Sequence, residues 1–234
     1  MPRQFDTPLP IDAALDELAA TLAARNAAVL VAPPGAGKTT RVPLALLEEP
    51  WTRGKKIIVL EPRRIAARAS AERMAKSLGE RAGETVGFRV RFGSKVSRAT
   101  RIEVVTEGVL TRMLQDDPAL EEYGVVIFDE FHERSLHADL GLALTLQSRT
   151  LLRDDLRIIV MSATLHGAPV AALLGDAPLV TSEGRSFPVE TFYLERPRTG
   201  YIEPVVAQHV RRAIAEHEGD VLVFLPGAAE IRRT

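Results

Sequence analysis

The 234-residue sequence contains no cysteine. Disulfides and thiolate metal sites are therefore excluded, and a reducing compartment, the cytoplasm, is the simplest expectation. No apolar run approaches the roughly 20 residues of a membrane-spanning helix. The polar, proline-containing start MPRQFDTPLP does not read as a signal peptide, so no membrane partner is expected. Excess charge of one sign is missing too. The 30 Lys and Arg stand against 31 Asp and Glu, a net −1, so nothing global announces a polyanion partner. His137, His166, His209 and His217 lack metal-ligand spacing and read as surface residues.

What is present suits a soluble globular chain of one or two domains, 46% hydrophobic and 26% charged. The overall balance hides a local asymmetry. Residues 61–101 carry eleven Lys/Arg against four Asp/Glu, and residues 102–155 carry twelve Asp/Glu against four Lys/Arg. A basic segment beside an acidic one can bind a polyanion on one side only, although two solvated faces would look the same. Apolar runs at 28–31, 57–60, 102–105, 125–128, 158–161 and 221–224 alternate with helix-like stretches at 11–25, 39–48, 63–78, 107–115, 136–147 and 204–216. Strands separated by helices of this length predict an α/β fold with a mostly parallel sheet flanked by helices. Residues 86–92 differ by alternating, with Phe88, Val90 and Phe92 on one side and Arg89 and Arg91 on the other, which predicts a half-exposed strand with a basic face. Gly and Pro punctuate residues 182–188, the predicted boundary between a first domain, 1–184, and a remainder, 185–234.

Two motifs carry chemistry. The first apolar run enters APPGAGKTT at 32–40, which matches the phosphate-binding pattern G-x-x-x-x-G-K-[ST] except that Ala32 stands at its first position. Pro34, Gly35, Ala36, Gly37 and Thr40 complete the loop. The glycines let backbone N–H groups turn inward around phosphates, and the following helix offers its positive N-terminus. Lys38 can reach the β- and γ-phosphates, and the Thr39 hydroxyl can ligate Mg²⁺. The second motif is VVIFDEFHER at 125–134, a buried-looking strand running straight into carboxylates. Read alone, it could be a strand leaving into a solvated turn. Beside the loop it supplies what a Mg²⁺–nucleotide lacks: Asp129 as a metal ligand, and Glu130 near the metal as the base that orients and deprotonates water. The two motifs together predict nucleotide hydrolysis, with Lys38, Asp129 and Glu130 as its catalytic groups.

Asp-Glu-Phe-His also resembles the D-E-x-H motif of DEAH/DExH superfamily 2 helicases. EPRRIAAR at 61–68 resembles motif Ia of that family, TEGVL at 106–110 motif Ib, SAT at 162–164 motif III, and FLPG at 224–227 the start of motif IV. APPGAGKTT with EPRR and DEFHERS is most similar to the bacterial HrpB branch. The resemblance implies a RecA-like P-loop NTPase using ATP and Mg²⁺, an ATP-dependent RNA helicase. It implies backbone contacts to single-stranded RNA from Arg63, Arg64 and Thr106, coupling of nucleotide to strand by His132, Ser162 and Thr164, and stacking of Arg73 on the base. Simpler readings stand beside these: a wet helix face for 63–73, an N-cap at Thr106, turn residues at 162 and 164. A DNA translocase, or a nucleotide-gated binding module that does not unwind, would carry the same motifs.

The resemblance also marks absences. No glutamine lies between Gln4 and Gln115, so the base-reading Gln motif of DEAD-box relatives is missing and base selection should be loose. The late arginine motif Q-R-x-G-R-x-G-R has no counterpart. Residues 1–184 are expected to form one RecA-like lobe and 185–234 the linker and start of a second.

Overall fold

The computed structural model describes residues 5, 7–164, 167–184, 188–194 and 200–234. The chain divides into two compact units, Met1–Ser186 and Phe187–Thr234. In the first, a 3-10 turn at Pro10–Ala14 leads into α1 (Leu15–Arg25), followed by β1 (Ala27–Val31), α2 (Lys38–Leu46), β2 (Lys56–Leu60) and α3 (Arg64–Ser77). A hairpin of β3 (Val86–Val90) and β4 (Gly93–Lys95) precedes β5 (Ile102–Val105), α4 (Glu107–Asp116) and β6 (Tyr123–Phe128). Then come α5 (Leu136–Leu151), β7 (Arg157–Ser162), α6 (Ala168–Leu173) and β8 (Leu179–Thr181).

Among the described residues the eight strands form one sheet in the order β4-β3-β5-β2-β6-β7-β1-β8. Every pairing is parallel except β3 with β4. The strands are uniformly apolar rather than alternating because both faces are covered. On one face Leu18 and Leu22 of α1, Val42 of α2 and Met74 of α3 meet Leu30, Val59 and Ile127. On the other, Leu110 of α4 and Leu142 of α5 meet Val31, Leu60 and Phe128. Neighbouring residues of one strand therefore serve opposite cores, and each fully buried Leu or Ile contributes about 1.5–3 kcal/mol. All the parallel strands present their C-terminal ends along one edge, where loops are free to carry side chains.

Two expectations change. The strand at 86–92 ends at Val90, because Phe92 takes a left-handed φ of 68° in the hairpin turn and is 87% exposed. Its basic side is not simply solvated: Arg89 Nε donates to the fully buried Glu103 at 2.7 Å, and Lys56 Nζ lies 3.2 Å from the same carboxylate. Residues 221–224 are not a strand. None of the described residues pairs with them, and Leu222 and Phe224 are exposed, since an apolar run becomes a strand only against a partner. The second unit contains α7 (Ile202–Glu216) and α8 (Ala228–Arg233), linked by Arg233 Nε donating to Glu203 at 2.5 Å. Residues 185–187 of the predicted boundary, and His166, lie outside the described residues.

Candidate active site

The loop after β1 is built from both ends. Ala32 is buried and its N–H donates to the carbonyl of Ser162 at the tip of β7, 3.0 Å away. Gly35 and Gly37 adopt left-handed φ of 79° and 97°, whereas Ala32 is not among the positive-φ positions. Glycine thus stands where the backbone demands it, and an alanine at the first position is sterically allowed. Pro34 and Gly35 face solvent, while Ala36 is buried. The segment before α1 underpins the loop. Ile11 N–H donates to Ala36 O at 3.1 Å, and a Cβ on Gly37 would sit 2.5 Å from Leu9 Cδ1. Sequence reading missed this support; its only trace is the Leu-Pro-Ile step before α1. Lys38 opens α2, 3% exposed, with Thr39 and Thr40 in the same first turn, where backbone N–H groups favour anions.

The carboxylates arrive from the other direction. Asp129 is 3% exposed, and its N–H donates to Leu60 O of β2 at 3.0 Å. Its Oδ2 accepts the Thr39 hydroxyl, and its Oδ1 accepts the Glu130 N–H at 2.8 Å. Lys38 Nζ donates to Glu130 Oε1 at 3.0 Å. The two motifs therefore meet although they do not stand on adjacent strands: β7 lies between β1 and β6. Lys38 and Thr39 cross that gap because they stand one loop beyond β1, above the tip of β7. Glu130 holds a left-handed φ of 49°, a conformation that costs a non-glycine residue about 1–2 kcal/mol. Such strain persists where its surroundings over-determine it, which is a mark of functional positions.

A third carboxyl sits here, one that sequence reading left without a role. Glu61, at the end of β2, is 3% exposed and lies beside Asp129. Burial, then the charge of Asp129, pushes its carboxyl up to about 8. Burial also raises Asp129, against the lowering effect of the Thr39 hydrogen bond. Glu61, Asp129 and Glu130 thus cluster near the Lys38 ammonium, which among the described residues only Glu130 meets within ion-pair distance. Its signal was available: Glu61 follows the apolar run 57–60 as Asp129 follows 125–128.

The remaining predicted residues border this centre. Thr40, Arg63 and Arg73 line a cavity of about 370 Å³ with Thr39, Glu61 and Glu130. Arg63 is exposed and donates to Glu133 at 2.7 Å, and Arg64 is exposed at the start of α3. Thr106 occupies the N-cap position of α4 without a side-chain capping bond, and Ser135 Oγ donates to Glu107 at 2.5 Å, so α4 is tied to the loop after β6. His132 Nδ1 accepts the Ala163 N–H at 3.2 Å and lies 3.4 Å from Glu130 Oε2. A ring nitrogen that accepts that N–H has no proton to give Glu130, so the carboxylate contact is not an ion pair in this tautomer. Ser162 is buried, with Oγ accepting the Thr164 N–H at 3.2 Å, while Thr164 is exposed.

The hard oxygen donors of Thr39 and Asp129, with negative charge in excess, fit Mg²⁺ better than a softer metal. Among the described residues no group of three His, Cys, Asp or Glu could hold a metal alone, so water or phosphate oxygens would have to complete such a site. A larger cavity of about 650 Å³ opens beside Lys55, Lys56 and Arg153. Those cations already serve Glu121 O, Glu122 and Asp155, and it holds none of the groups above. No described helix is long and apolar enough to cross a membrane.

Residues 14–173 match the model of the DEAD/DEAH box helicase family. The chain is 52% identical over 225 residues to the ATP-dependent RNA helicase HrpB of Escherichia coli K12, covering 96% of this chain and 28% of that protein. It is 39% identical over 204 residues to the pre-mRNA-splicing factor ATP-dependent RNA helicase prp22 of Schizosaccharomyces pombe, covering 87% of this chain and 17% of the relative. The crystal structure of the E. coli DEAH/RHA helicase HrpB superposes with a TM-score of 0.89 at 51% identity, over 97% of this chain and 29% of that one. The chain thus spans under a third of the length of these relatives. The expected RecA-like α/β class, with a mostly parallel sheet between helices, is the class observed.

Proposed function

The chain belongs to the DEAD/DEAH box helicase family, and from that premise we propose that residues 1–184 are the nucleotide-binding lobe of an ATP-dependent RNA helicase. Residues 185–234 would then be the linker and start of a second lobe. One observation carries the reading: Lys38 and Thr39 from the phosphate loop touch Glu130 and Asp129 from the far side of β7. A phosphate chain laid along the start of α2 meets the loop amides of 34–37, the Lys38 ammonium and the hydroxyls of Thr39 and Thr40. Mg²⁺, when bound, neutralises charge on the β- and γ-phosphates. Thr39 and Asp129 would hold it, with Glu130 beside them. Glu130, in its strained turn, takes the proton of the attacking water.

Arg73, on the wall of the cavity, stacks on the base. Arg63, Arg64 and Thr106 hold the backbone of a single strand of RNA, the polymer named in the helicase relatives above. DNA presents the same phosphates. His132, Ser162 and Thr164 connect hydrolysis to strand movement. The absence of cysteine fits the cytoplasm. The test has two arms. A fluorescent ATP analogue is titrated with and without Mg²⁺, then single-stranded RNA and DNA are titrated over a salt series. The reading expects Mg²⁺-strengthened nucleotide binding and weak, salt-steep RNA binding; nucleotide binding indifferent to Mg²⁺ would overturn it.

A further inference from the structure

Glu61 and Glu103 stand on neighbouring strands, both buried, with opposite surroundings. Glu103 accepts from Arg89 at 2.7 Å and has Lys56 at 3.2 Å, so its charge is answered within the fold. Glu61 has no cation within ion-pair distance among the described residues, and neither does Asp129; the Lys38 ammonium beside them is taken by Glu130. Ionising a buried carboxyl next to another carboxylate is costly unless a cation answers both. No architectural need explains it. The Glu61 backbone N–H is satisfied by Val105 O at 2.9 Å, and its side chain caps no helix. It does line the cavity that Thr39, Arg73 and Glu130 border.

We propose that Glu61 is a positioning residue for the divalent cation that accompanies the nucleotide, fixing the direction of the Asp129 carboxylate and adding the charge that makes this corner selective for a small dication. The proposal rests on the nucleotide–Mg²⁺ reading above. Groups behind a metal ligand orient it and raise its affinity, and their loss costs metal affinity about 10–100-fold.

The experiment compares ATP affinity in saturating Mg²⁺ with that in EDTA, using the 234-residue chain, Glu61→Gln, Glu61→Asp and Asp129→Asn, with a thermal melt of each. The ratio of the two affinities is the readout, since a purely structural defect would weaken both alike. Glu61→Gln should shrink the ratio about tenfold, with ATP in EDTA bound at least as tightly as by the parent. Glu61→Asp, which keeps the charge but withdraws it by one methylene, should lose part of the ratio and guards against misfolding of the first variant. A ratio kept by Glu61→Gln but lost by Asp129→Asn overturns this inference alone. A ratio kept by both overturns the metal-site reading beneath it. Equal weakening with and without Mg²⁺ leaves Glu61 a structural residue and overturns the proposal.

Discussion

Truncating Lys38 to alanine separates binding from folding, and the structure sets the size of each effect. On the proposed function the ammonium would be a charged donor to phosphate, and in the free protein it holds Glu130 at 3.0 Å. A hydrogen bond to a charged group contributes about 1.5–3 kcal/mol, so Lys38→Ala should weaken ATP binding by about 10–150-fold. Stability should change less. The side chain is 4% exposed, so the loss includes three buried methylenes, about 2 kcal/mol. Glu130, at 28% exposure, is open enough to be hydrated once its partner is gone. For a chain of this size the melting temperature should fall by less than about 8 °C. Fluorescence titration with an ATP analogue reads the first quantity and a thermal melt the second. Unchanged affinity in a folded variant would refute the assignment of the loop to phosphate.

The carboxylates should divide by role. Asp129→Asn weakens Mg²⁺-dependent ATP binding, while Glu130→Gln in a full-length enzyme leaves binding near the parent's and cuts turnover by about 10²–10⁴-fold; equal loss of affinity in both would sink the division. Base selection should be loose, since no glutamine lies between Gln4 and Gln115 to read a base edge: ATP and GTP should compete with affinities within about tenfold, roughly 1.4 kcal/mol, and a much larger preference would reveal a missed base contact. Metal-free stability should carry the signature of Glu61. Its carboxyl is raised from 4.5 to about 8, so its proton-linked stabilisation is complete below pH 4.5 and is lost as pH rises through 8. The melting temperature of Glu61→Gln in EDTA should therefore climb relative to the parent between pH 5 and 8; a constant difference would contradict the shift. Finally, the 234-residue chain alone should hydrolyse ATP near background without acceleration by RNA, because the family's late arginine motif has no counterpart in it and an arginine at the transferring phosphate contributes about 10³–10⁵ in rate; brisk RNA-stimulated turnover would reject that division of labour.

Elements with a strong local signature were legible before any coordinates. Five of six apolar runs became strands because helices cover both their faces, and the loop glycines lie where left-handed backbone is needed. What stayed hidden depended on arrangement. The short β8 has only three residues, too few to stand out, and residues 221–224 carried the composition of a strand without a neighbour to make them one. Strand order is not written in local pattern, so β7 between the two motifs could not be foreseen. Glu61 was visible as a residue but not as a site, because its character comes from the Asp129 carboxylate lying against it on the next strand. Glu133 and Glu107 likewise acquire meaning only through Arg63 and Ser135.

The order of strands along the C-terminal edge has a mechanical corollary. From β1 through β7 to β6 the strand ends carry the phosphate loop, Ser162 and the Asp129–Glu130 pair; from β2 through β5 they carry Glu61–Arg64 and Thr106. On the proposed function, fuel and track would be handled by two halves of one ruler, and the halves meet at β6 and β2, a single interstrand gap of about 4.8 Å. That seam is stitched by the Asp129 N–H bond to Leu60 O. A displacement of the Asp129 carboxylate by a fraction of an ångström would then reach the tip of β2 without any hinge within this lobe, because a sheet packed on both faces is too stiff to absorb it.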